Sequence, residues 1–277
     1  MTPRRFRDIV FDHAARHGRD HLPWRSRTAS PYAVLVSEIM LQQTQVDRVI
    51  PFYRAFLRRF PSVRALARAP LADVLSAWQG LGYNRRAKML HEAAQAVVGK
   101  YGGRLPKEVS ELEKLPGIGP YTARAVAAFA HNKDVVFVET NLRTAVLHHF
   151  FPGDALVKDA QIVSILEKAL PAGRARDWYA ALMDYGAHLK RHGVRLNHRS
   201  AGYVKQPVFK GSKREARGAV LKALTQGAKS AHFLERLLGT ERKEQVREAI
   251  ATLVRDGMLQ KEGRSYVLPG ADRKTTR

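Results

Sequence analysis

The stretch Lys114-Leu-Pro-Gly-Ile-Gly-Pro-Tyr-Thr-Ala123 decides how this chain of 277 residues is interpreted. Gly117 and Gly119 stand one residue apart, and without a Cβ they let the backbone turn tightly. A helical pattern over residues 122–130 follows, so the N–H groups of the turn lie at a helix N-terminus. Such groups bind phosphate through hydrogen bonds and the helix dipole. The segment therefore predicts a turn that holds a phosphate.

Helical patterns flank this turn on both sides, which is typical of the helix-hairpin-helix, a clamp for the DNA backbone that does not read base sequence. Its predicted DNA contacts are Gly117, Ile118, Gly119 and Thr122. The chain carries 48 Lys and Arg against 25 Asp and Glu, a formal charge of +23. Such an excess favours a polyanionic partner, most often nucleic acid. The alternative is a basic protein from an organism whose proteins are generally basic.

The first 190 residues read as almost entirely helical. Apolar residues recur at helical spacing in nine segments, and prolines such as Pro51 are expected near helix starts or breaks. Only residues 135–138 resemble a strand. No run approaches the ~20 apolar residues of a membrane span, and no secretory leader is recognisable, so we expect a cytoplasmic, nucleoid-associated protein. The predicted helical segments are 6–15, 32–41, 46–60, 71–78, 87–98, 122–130, 142–150, 162–170 and 178–189.

The composition changes after residue 189, and a second domain is predicted beyond it. Residues 190–217 hold nine Lys or Arg and one acid, Glu215, which predicts a basic connector over 191–211. It is either a solvated linker or a segment that lies along phosphates. Three helical patterns and a hairpin around Glu262-Gly263 follow, the arrangement of a winged helix, and such domains bind either DNA or protein. The predicted helices are 215–224, 230–238 and 242–256, within a winged-helix-like domain at 212–270 that precedes a basic tail at 271–277.

One carboxylate lies inside an apolar run. Glu38 is the only ionisable residue between Tyr32 and Thr44. If it is buried, desolvation raises its pKa and lets it act as a general acid near neutral pH; the alternative is a surface glutamate on an amphipathic helix. Directly after it, Gln42, Gln43 and Thr44 are uncharged polar residues able to hydrogen-bond base edges or fill a gap in a base stack.

A second carboxylate, Glu139, ends the apolar run 135–138 and precedes Asn141 and a helical pattern. The alternative role for Glu139 is structural, because the helix dipole favours an acid at a helix N-terminus. Glu38 and Glu139 lie about a hundred residues apart, so they form a site only if the fold brings them together.

These segments resemble the helix-hairpin-helix DNA glycosylase superfamily, and among its members most of all the MutY-type A/G-specific adenine glycosylases. The resemblance covers the chain from about residue 5 to residue 189. The matching pieces are LPWR (22–25), SEIMLQQTQV (37–46), FYRAFLRRFPSV (52–63), GLGYNRRAKMLHEAA (80–94), LPGIGPYTA (115–123) and ALMDYGA (181–187).

The resemblance implies a two-lobed helical fold that flips a base into a pocket and hydrolyses its N-glycosidic bond. Glu38 matches the general acid that protonates the leaving base. Glu139 falls where the family carries an aspartate that stabilises the oxocarbenium-like sugar or attacks it. Tyr121 replaces the Schiff-base lysine of bifunctional relatives, which implies a monofunctional enzyme without strong AP-lyase activity. The predicted DNA-binding residues also include Gln42, Gln43, Thr44, Tyr83 and Asn141, the first four probing the opposite base or wedging the stack.

Four departures from the family pattern stand out. Glu139 is one methylene longer than the family aspartate, and Asn84 stands where a second tyrosine is frequent. The chain has no cysteine, so the cluster-binding cysteines expected after residue 189 are absent. We therefore expect no iron–sulfur cluster, no other metal and no cofactor, although a monovalent cation at the hairpin carbonyls is compatible with the resemblance. The C-terminal part does not resemble the Nudix-like domain that reads 8-oxoguanine.

The sequence thus predicts an all-α, two-lobed glycosylase domain at 1–190 with a small α+β domain at its C-terminus. The predicted function is monofunctional base excision on double-stranded DNA by a monomer, first of adenine opposite guanine or 8-oxoguanine. One alternative substrate is uracil, thymine or another deaminated base in a mismatch. The other alternative is a non-catalytic, structure-specific DNA-binding protein.

Overall fold

A computed structural model describes residues 1–153, 156–200 and 208–271, and most of these are helical. Residues 201–207 of the predicted connector and 272–277 of the predicted tail lie outside the described residues. The helices are α1 (Pro3–His17), α2 (Pro31–Leu41), α3 (Val46–Arg59), α4 (Val63–Arg68), α5 (Leu71–Ala77), α6 (Arg85–Tyr101), α7 (Val109–Leu112), α8 (Pro120–His131), α9 (Thr140–Phe150), α10 (Asp159–Ala169), α11 (Ala175–Arg191), α12 (Lys213–Leu224), α13 (Ala231–Glu235) and α14 (Lys243–Arg255), and the strands are β1 (Lys229–Ser230), β2 (Gln260–Glu262) and β3 (Ser265–Val267).

Each helix expected from apolar periodicity is present. The sequence pattern missed α4 and α7, because helices of six and four residues are too short to show a period. Two expectations were wrong. Pro51 lies inside α3 rather than at a break. Residues 135–138 belong to no strand; they form an extended segment whose Val135 carbonyl accepts a hydrogen bond from Tyr179 Oη at 2.8 Å.

The first of two compact units comprises Met1–Glu38, Pro106–Lys114 and Ile118–Lys205. Its core surrounds α11, which packs against α1, α8 and α9 through fully buried side chains such as Phe6, Trp178 and Tyr179. The burial of these apolar side chains stabilises the packing of α11 against its neighbours, by about 25 cal/mol per Å² of apolar surface removed from water.

A buried ion-pair cluster holds the segment between α1 and α2 against α11. Asp184 is 2% exposed, and its carboxylate accepts hydrogen bonds from Arg19 Nε at 2.6 Å and from Arg25 Nη1 at 2.6 Å. Burial alone would raise the pKa of Asp184, but the hydrogen bonds and charges of Arg25 and Arg19 outweigh it, so the pKa lies below its ordinary value. The cluster therefore fixes the chain leading into α2.

The second unit comprises Ile39–Leu105, Leu115–Gly117 and Gln206–Arg277. It contains α3–α6, α12–α14 and a three-stranded antiparallel sheet in the order β1–β3–β2. The predicted hairpin is β2–β3, while β1, at two residues, gave no sequence signal. The Ala72 N–H donates to the Pro269 carbonyl at 3.0 Å, which ties the C-terminal residues to α5. The two units cut across the domain boundaries expected from the sequence.

No helix in the described ranges is long and apolar enough to cross a membrane.

A close backbone approach joins α11 to the first turn of α9. A Cβ built on Gly186 would lie 2.1 Å from the Asn141 carbonyl oxygen, far inside van der Waals contact. Since the obstacle is backbone, no side-chain rotation relieves it, and only glycine lets the two helices approach this closely.

The Gly186→Ala substitution should therefore lower the free energy of unfolding by about 1–3 kcal/mol, the usual cost of overpacking. The matched control is Gly99→Ala in α6, where nothing lies within 4 Å of the new Cβ. That control should stabilise the protein by about 0.5–1 kcal/mol, because alanine is the better helix former. Urea denaturation measures both, and equal effects of the two substitutions would contradict the close approach.

Candidate active site

Glu38 occupies the apolar helix α2 and is buried. Ser30 caps the start of this helix by accepting a hydrogen bond from the Ala33 N–H at 3.2 Å. Glu38 is only 7% exposed, and Val36 and Met40 beside it are fully buried. Burial raises the pKa of Glu38 to about 7, and the negative charge of Glu139 adds to the rise. The alternative of an exposed surface glutamate is therefore wrong.

Tyr121 lies in the first turn of α8, and its hydroxyl donates to Glu38 Oε2 at 3.4 Å. The Phe137 ring meets the Tyr121 ring edge-on at a centroid distance of 5.6 Å and limits its movement. Burial raises the pKa of the Tyr121 phenol well above its ordinary value, and the nearby carboxylates act in the same direction. Tyr121 is thus a neutral hydrogen-bond donor at neutral pH.

Glu139 is the N-cap residue of α9. Its Oε1 accepts hydrogen bonds from the backbone N–H groups of Asn141 and Leu142 at 2.7 and 2.9 Å. Its Oε2 accepts from Thr140 Oγ1 at 3.1 Å and from Asn141 Nδ2 at 3.2 Å. Four donors around two oxygens suit a carboxylate, which only accepts hydrogen bonds when ionised. The capping role expected as an alternative is therefore present, and it holds this carboxylate close enough to Glu38 for its charge to raise the pKa of Glu38.

The three groups predicted as catalytic therefore meet within the first unit. Glu38 sits among apolar side chains that raise its pKa to about 7, whereas Glu139 is surrounded by hydrogen-bond donors. Two carboxyl groups in such contrasting environments can divide the roles of proton donor and negative stabiliser. Asn141, which is predicted to bind DNA, donates a hydrogen bond from its side-chain Nδ2 to Glu139 Oε2.

Lys190 is the first residue of the basic stretch 190–217, and it lies on α11 near Glu139. It is partly buried, and burial lowers the pKa of its ammonium group while the charge of Glu139 raises it. Lys190 stands four residues after Gly186, so both share the face of α11 that meets the start of α9. The available signal was the helical pattern 178–189, which continues through Lys190.

The residues expected to probe the opposite base lie together in the second unit. Gln42, Gln43 and Thr44 form the turn after α2, and Tyr83 belongs to the turn before α6; both turns line a cavity of about 1150 Å³. Gln43 and Tyr83 have positive φ angles of 54° and 48°, strained values for side chains other than glycine. Such strain is common in residues held in place for binding.

One buried guanidinium holds these two turns together. Arg86 Nη1 donates to the carbonyls of Ile39 and Gln42 at 2.7 and 2.6 Å, and Arg86 Nη2 donates to Gly82 at 3.1 Å. Burial lowers the pKa of Arg86 to about 10, so it remains charged at neutral pH. The Tyr83 ring lies 5.5 Å from this guanidinium, within cation–π range. Sequence reasoning missed Arg86, since its partners are backbone carbonyls.

The predicted hairpin forms the turn before α8. Gly117 has a φ of +73°, and a Cβ there would lie 2.4 Å from Met89 Cβ, so glycine is required. Gly119 is the N-cap of α8, with open space around its missing Cβ. Ile118 and Thr122 are 4% and 3% exposed, so their predicted DNA contacts are restricted to the backbone.

No group of three or more His, Asp or Glu side chains within the described ranges is arranged to hold a metal ion.

Comparison with known proteins assigns the family. Residues 36–171 match the model of the HhH-GPD superfamily base excision DNA repair proteins. The chain is 42% identical over 226 residues to the adenine DNA glycosylase of Mycolicibacterium smegmatis, covering 75% of this chain and 76% of that protein. The chain belongs to the HhH-GPD superfamily. The predicted resemblance to MutY-type enzymes and the predicted class, a DNA glycosylase, are confirmed.

Two further proteins that are similar to this chain are named for different bases. The adenine DNA glycosylase of Mycobacterium tuberculosis is 49% identical over 125 residues, which cover 45% of this chain and 41% of that protein. A solved thermostable thymine-DNA glycosylase is 28% identical, with a TM-score of 0.59 over 67% of this chain and 86% of that one. The scaffold is therefore shared by enzymes named for adenine and for thymine.

The raised pKa of Glu38 predicts a stability that depends on pH. The folded state binds the Glu38 proton more tightly than the unfolded state, so stability falls as pH rises through the window from 4.5 to about 7. The Glu38→Gln substitution removes this loss and should stabilise the protein at pH 8, by up to about 3 kcal/mol, since one pKa unit corresponds to about 1.4 kcal/mol. At pH 4 the two proteins should be nearly equal.

Urea denaturation of both proteins at pH 4 and pH 8 measures this difference. Glu167→Gln on the exposed side of α10 is the matched control and should change stability by less than about 0.5 kcal/mol at either pH. A Glu38→Gln protein that is equally destabilised at both pH values would show that ionisation of Glu38 does not lower the free energy of unfolding.

Proposed function

We propose that this glycosylase hydrolyses the N-glycosidic bond of adenine mispaired with guanine or 8-oxoguanine in double-stranded DNA, as a monofunctional enzyme and a monomer. The observation that carries the proposal is the pairing of a buried Glu38, whose pKa lies at about 7, with a Glu139 held by four donors. The choice of adenine is supported by the relatives named adenine DNA glycosylase.

In the proposed reaction, the target base leaves the stack and its ring is placed against Glu38. Glu38 transfers its proton to the base as the bond between the sugar C1′ and the base nitrogen breaks, and the bonding electrons leave with the base. The carboxylate of Glu139 stabilises the positive charge that develops on the sugar. A water molecule then adds to C1′ and loses a proton, which leaves an abasic site.

Tyr121 supports the monofunctional part of the proposal. A phenol cannot form the imine that a lysine amine forms with the opened sugar, so chain cleavage by that route is not expected from this position. Its hydroxyl instead donates to Glu38 Oε2 at 3.4 Å and helps to orient the acid.

A second candidate substrate is thymine or uracil opposite guanine. It is favoured by the structural similarity to the thymine-DNA glycosylase, which is 28% identical to this chain. Both reactions need the same acid and the same stabilising carboxylate, so the two candidates differ only in the base that the pocket accepts.

We also propose that the enzyme works without the iron–sulfur cluster that its family implies. The chain contains no cysteine, so no thiolate ligand exists for such a cluster. In the segment that follows α11, Thr144 Oγ1 donates to Asn197 Oδ1 at 3.1 Å, and Ser200 Oγ donates to Asp159 Oδ1 at 2.8 Å. These contacts dock the segment onto α9 and α10 in place of a metal.

We propose that the C-terminal region is a winged-helix domain that contacts DNA. Supporting this, its elements follow the order helix, strand, helix, helix, strand, strand, and β3 lies in the centre of the sheet. Its place in the same compact unit as the Gln42–Thr44 turn favours DNA over a protein partner.

Single-turnover excision on matched duplexes tests the substrate. We expect excision of adenine from A:8-oxoguanine and A:G pairs, little from A:T, and no detectable excision by Glu38→Gln, which keeps the shape of Glu38 but has no proton to give. Mispaired bases cost less to flip than paired ones, which favours the mismatches. Excision of uracil or thymine with none of adenine would select the second candidate. No excision from any duplex would favour a DNA-binding protein without catalysis.

Glu139 is tested by two substitutions. Glu139→Gln keeps a capping oxygen but removes the charge, so the single-turnover rate should fall by about 10²–10³-fold. Glu139→Asp keeps the charge and the N-cap and should leave stability nearly unchanged. Its rate should also fall, because the donors from Thr140 and Asn141 are arranged around the longer side chain. A Glu139→Gln protein that keeps most of its rate would exclude the role given to this carboxylate.

A further inference from the structure

The cavity in the second unit combines two parts of the chain that the sequence assigns to different domains. One wall consists of the Gln42–Thr44 turn and the turn that carries Tyr83. The other is the face of α12 between Arg214 and Lys222, with Phe209 before the helix. Its volume of about 1150 Å³ lies slightly above the ~300–1,000 Å³ range of small-molecule sites, so a nucleotide with part of its backbone fits.

The lining has the chemistry of a nucleotide site. Among the described residues that line it, six carry positive charge and two are acids. Both acids are ion-paired, Glu215 with Arg242 at 2.8 Å and Asp256 with Arg217 at 2.7 Å. The cationic lining residues are Arg48, Arg85, Arg86, Arg214, Arg217 and Lys222. Such an excess of positive charge around amides and aromatic rings suits a DNA nucleotide.

Arg214, in the first turn of α12, joins the C-terminal region to the strained Tyr83. Its guanidinium lies 5.0 Å from the Tyr83 ring centroid and donates a hydrogen bond to the Tyr83 hydroxyl. It also lies 5.9 Å from the ring of Phe209, which is 57% exposed. A large apolar ring left exposed beside a cavity is a typical platform for a stacked base.

We propose that Arg214, contributed by α12, recognises a guanine in this cavity, where the family resemblance already implies the nucleotide opposite the excised base. The inference rests on the proposed function, because it assigns the opposite strand of the same duplex. A guanidinium presents a planar fork of donors that matches the O6 and N7 acceptors of guanine, which neither adenine nor cytosine offers together. In 8-oxoguanine, N7 carries a hydrogen and no longer accepts, so the match to Arg214 is lost on that edge. A residue of α12 thus contributes to the recognition of the opposite base.

The test compares wild type, Arg214→Ala and Arg214→Lys on duplexes that differ only in the base opposite adenine. Arg214→Lys keeps the charge but loses the planar fork. Both substitutions should lower single-turnover excision opposite guanine by about 10-fold or more, the usual effect of losing one bidentate base contact. Excision opposite 8-oxoguanine or opposite an abasic analogue should change by less than about 3-fold.

Lys213→Ala is the matched control, because Lys213 is the adjacent cation, pairs with Glu248 and does not line the cavity. It should leave the ratio between opposite bases unchanged. Thermal melting of every variant establishes that each is folded. An equal loss on all duplexes would overturn the proposal and make Arg214 a phosphate contact or a support for Tyr83; unchanged rates would overturn it as well.

A binding measurement separates this proposal from the proposed function. Dissociation constants are measured for duplexes that carry a tetrahydrofuran abasic analogue opposite guanine or cytosine, which require no catalysis. Wild type should bind the guanine duplex more tightly, and both Arg214 variants should lose that preference. If wild type excises no base but still binds the guanine duplex more tightly, the proposed function is wrong and the role of Arg214 is supported. If wild type excises adenine but shows no binding preference that depends on Arg214, the proposed function is supported and the role of Arg214 is wrong.

Discussion

The approach of α11 to the first turn of α9 is the constraint on which the active site depends. Gly186 meets the Asn141 carbonyl so closely that a single added methyl group has no room. Glu139 caps the same turn, so its position is set by backbone contact rather than by a flexible side chain. Asp184 lies half a turn before Gly186 and anchors the chain that leads into α2 and Glu38. One helix therefore fixes both carboxylates.

The two carboxyl groups show how one scaffold provides contrasting environments for the same chemical group. Glu38 has apolar neighbours and a single weak donor, so its neutral form is favoured. Glu139 has four donors, two of them from a helix N-terminus whose dipole favours negative charge. The charge of Glu139 also acts on Glu38 and strengthens the contrast. Burying an ionisable group such as Glu38 lowers the stability of the fold, and such groups are typical of functional sites.

Local signals in the sequence predicted the helices and singled out Glu38 and Glu139, and the family resemblance supplied their expected roles, but neither revealed the long-range contacts. Glu38 stood out as a lone charge in an apolar run, and the Gly117 turn stood out by its glycines. Arg86 resembled any cation of a basic chain, because nothing in its surroundings shows that backbone carbonyls 40 or more residues away accept its hydrogen bonds. Lys190 likewise resembled the other cations of the basic stretch 190–217, and the sequence did not show that it lies near Glu139.

The alternation of the two units along the chain has a consequence for how the protein is made. The second unit takes residues from the middle of the chain and from its end, so its core stays incomplete until synthesis has passed residue 206. Contacts such as Ala72 with Pro269 close a loop of nearly 200 residues, and ordering so long a loop slows folding. During that time the apolar face of α5 and its neighbours is exposed on the ribosome, where an unpaired surface of this kind attracts chaperones or other nascent chains.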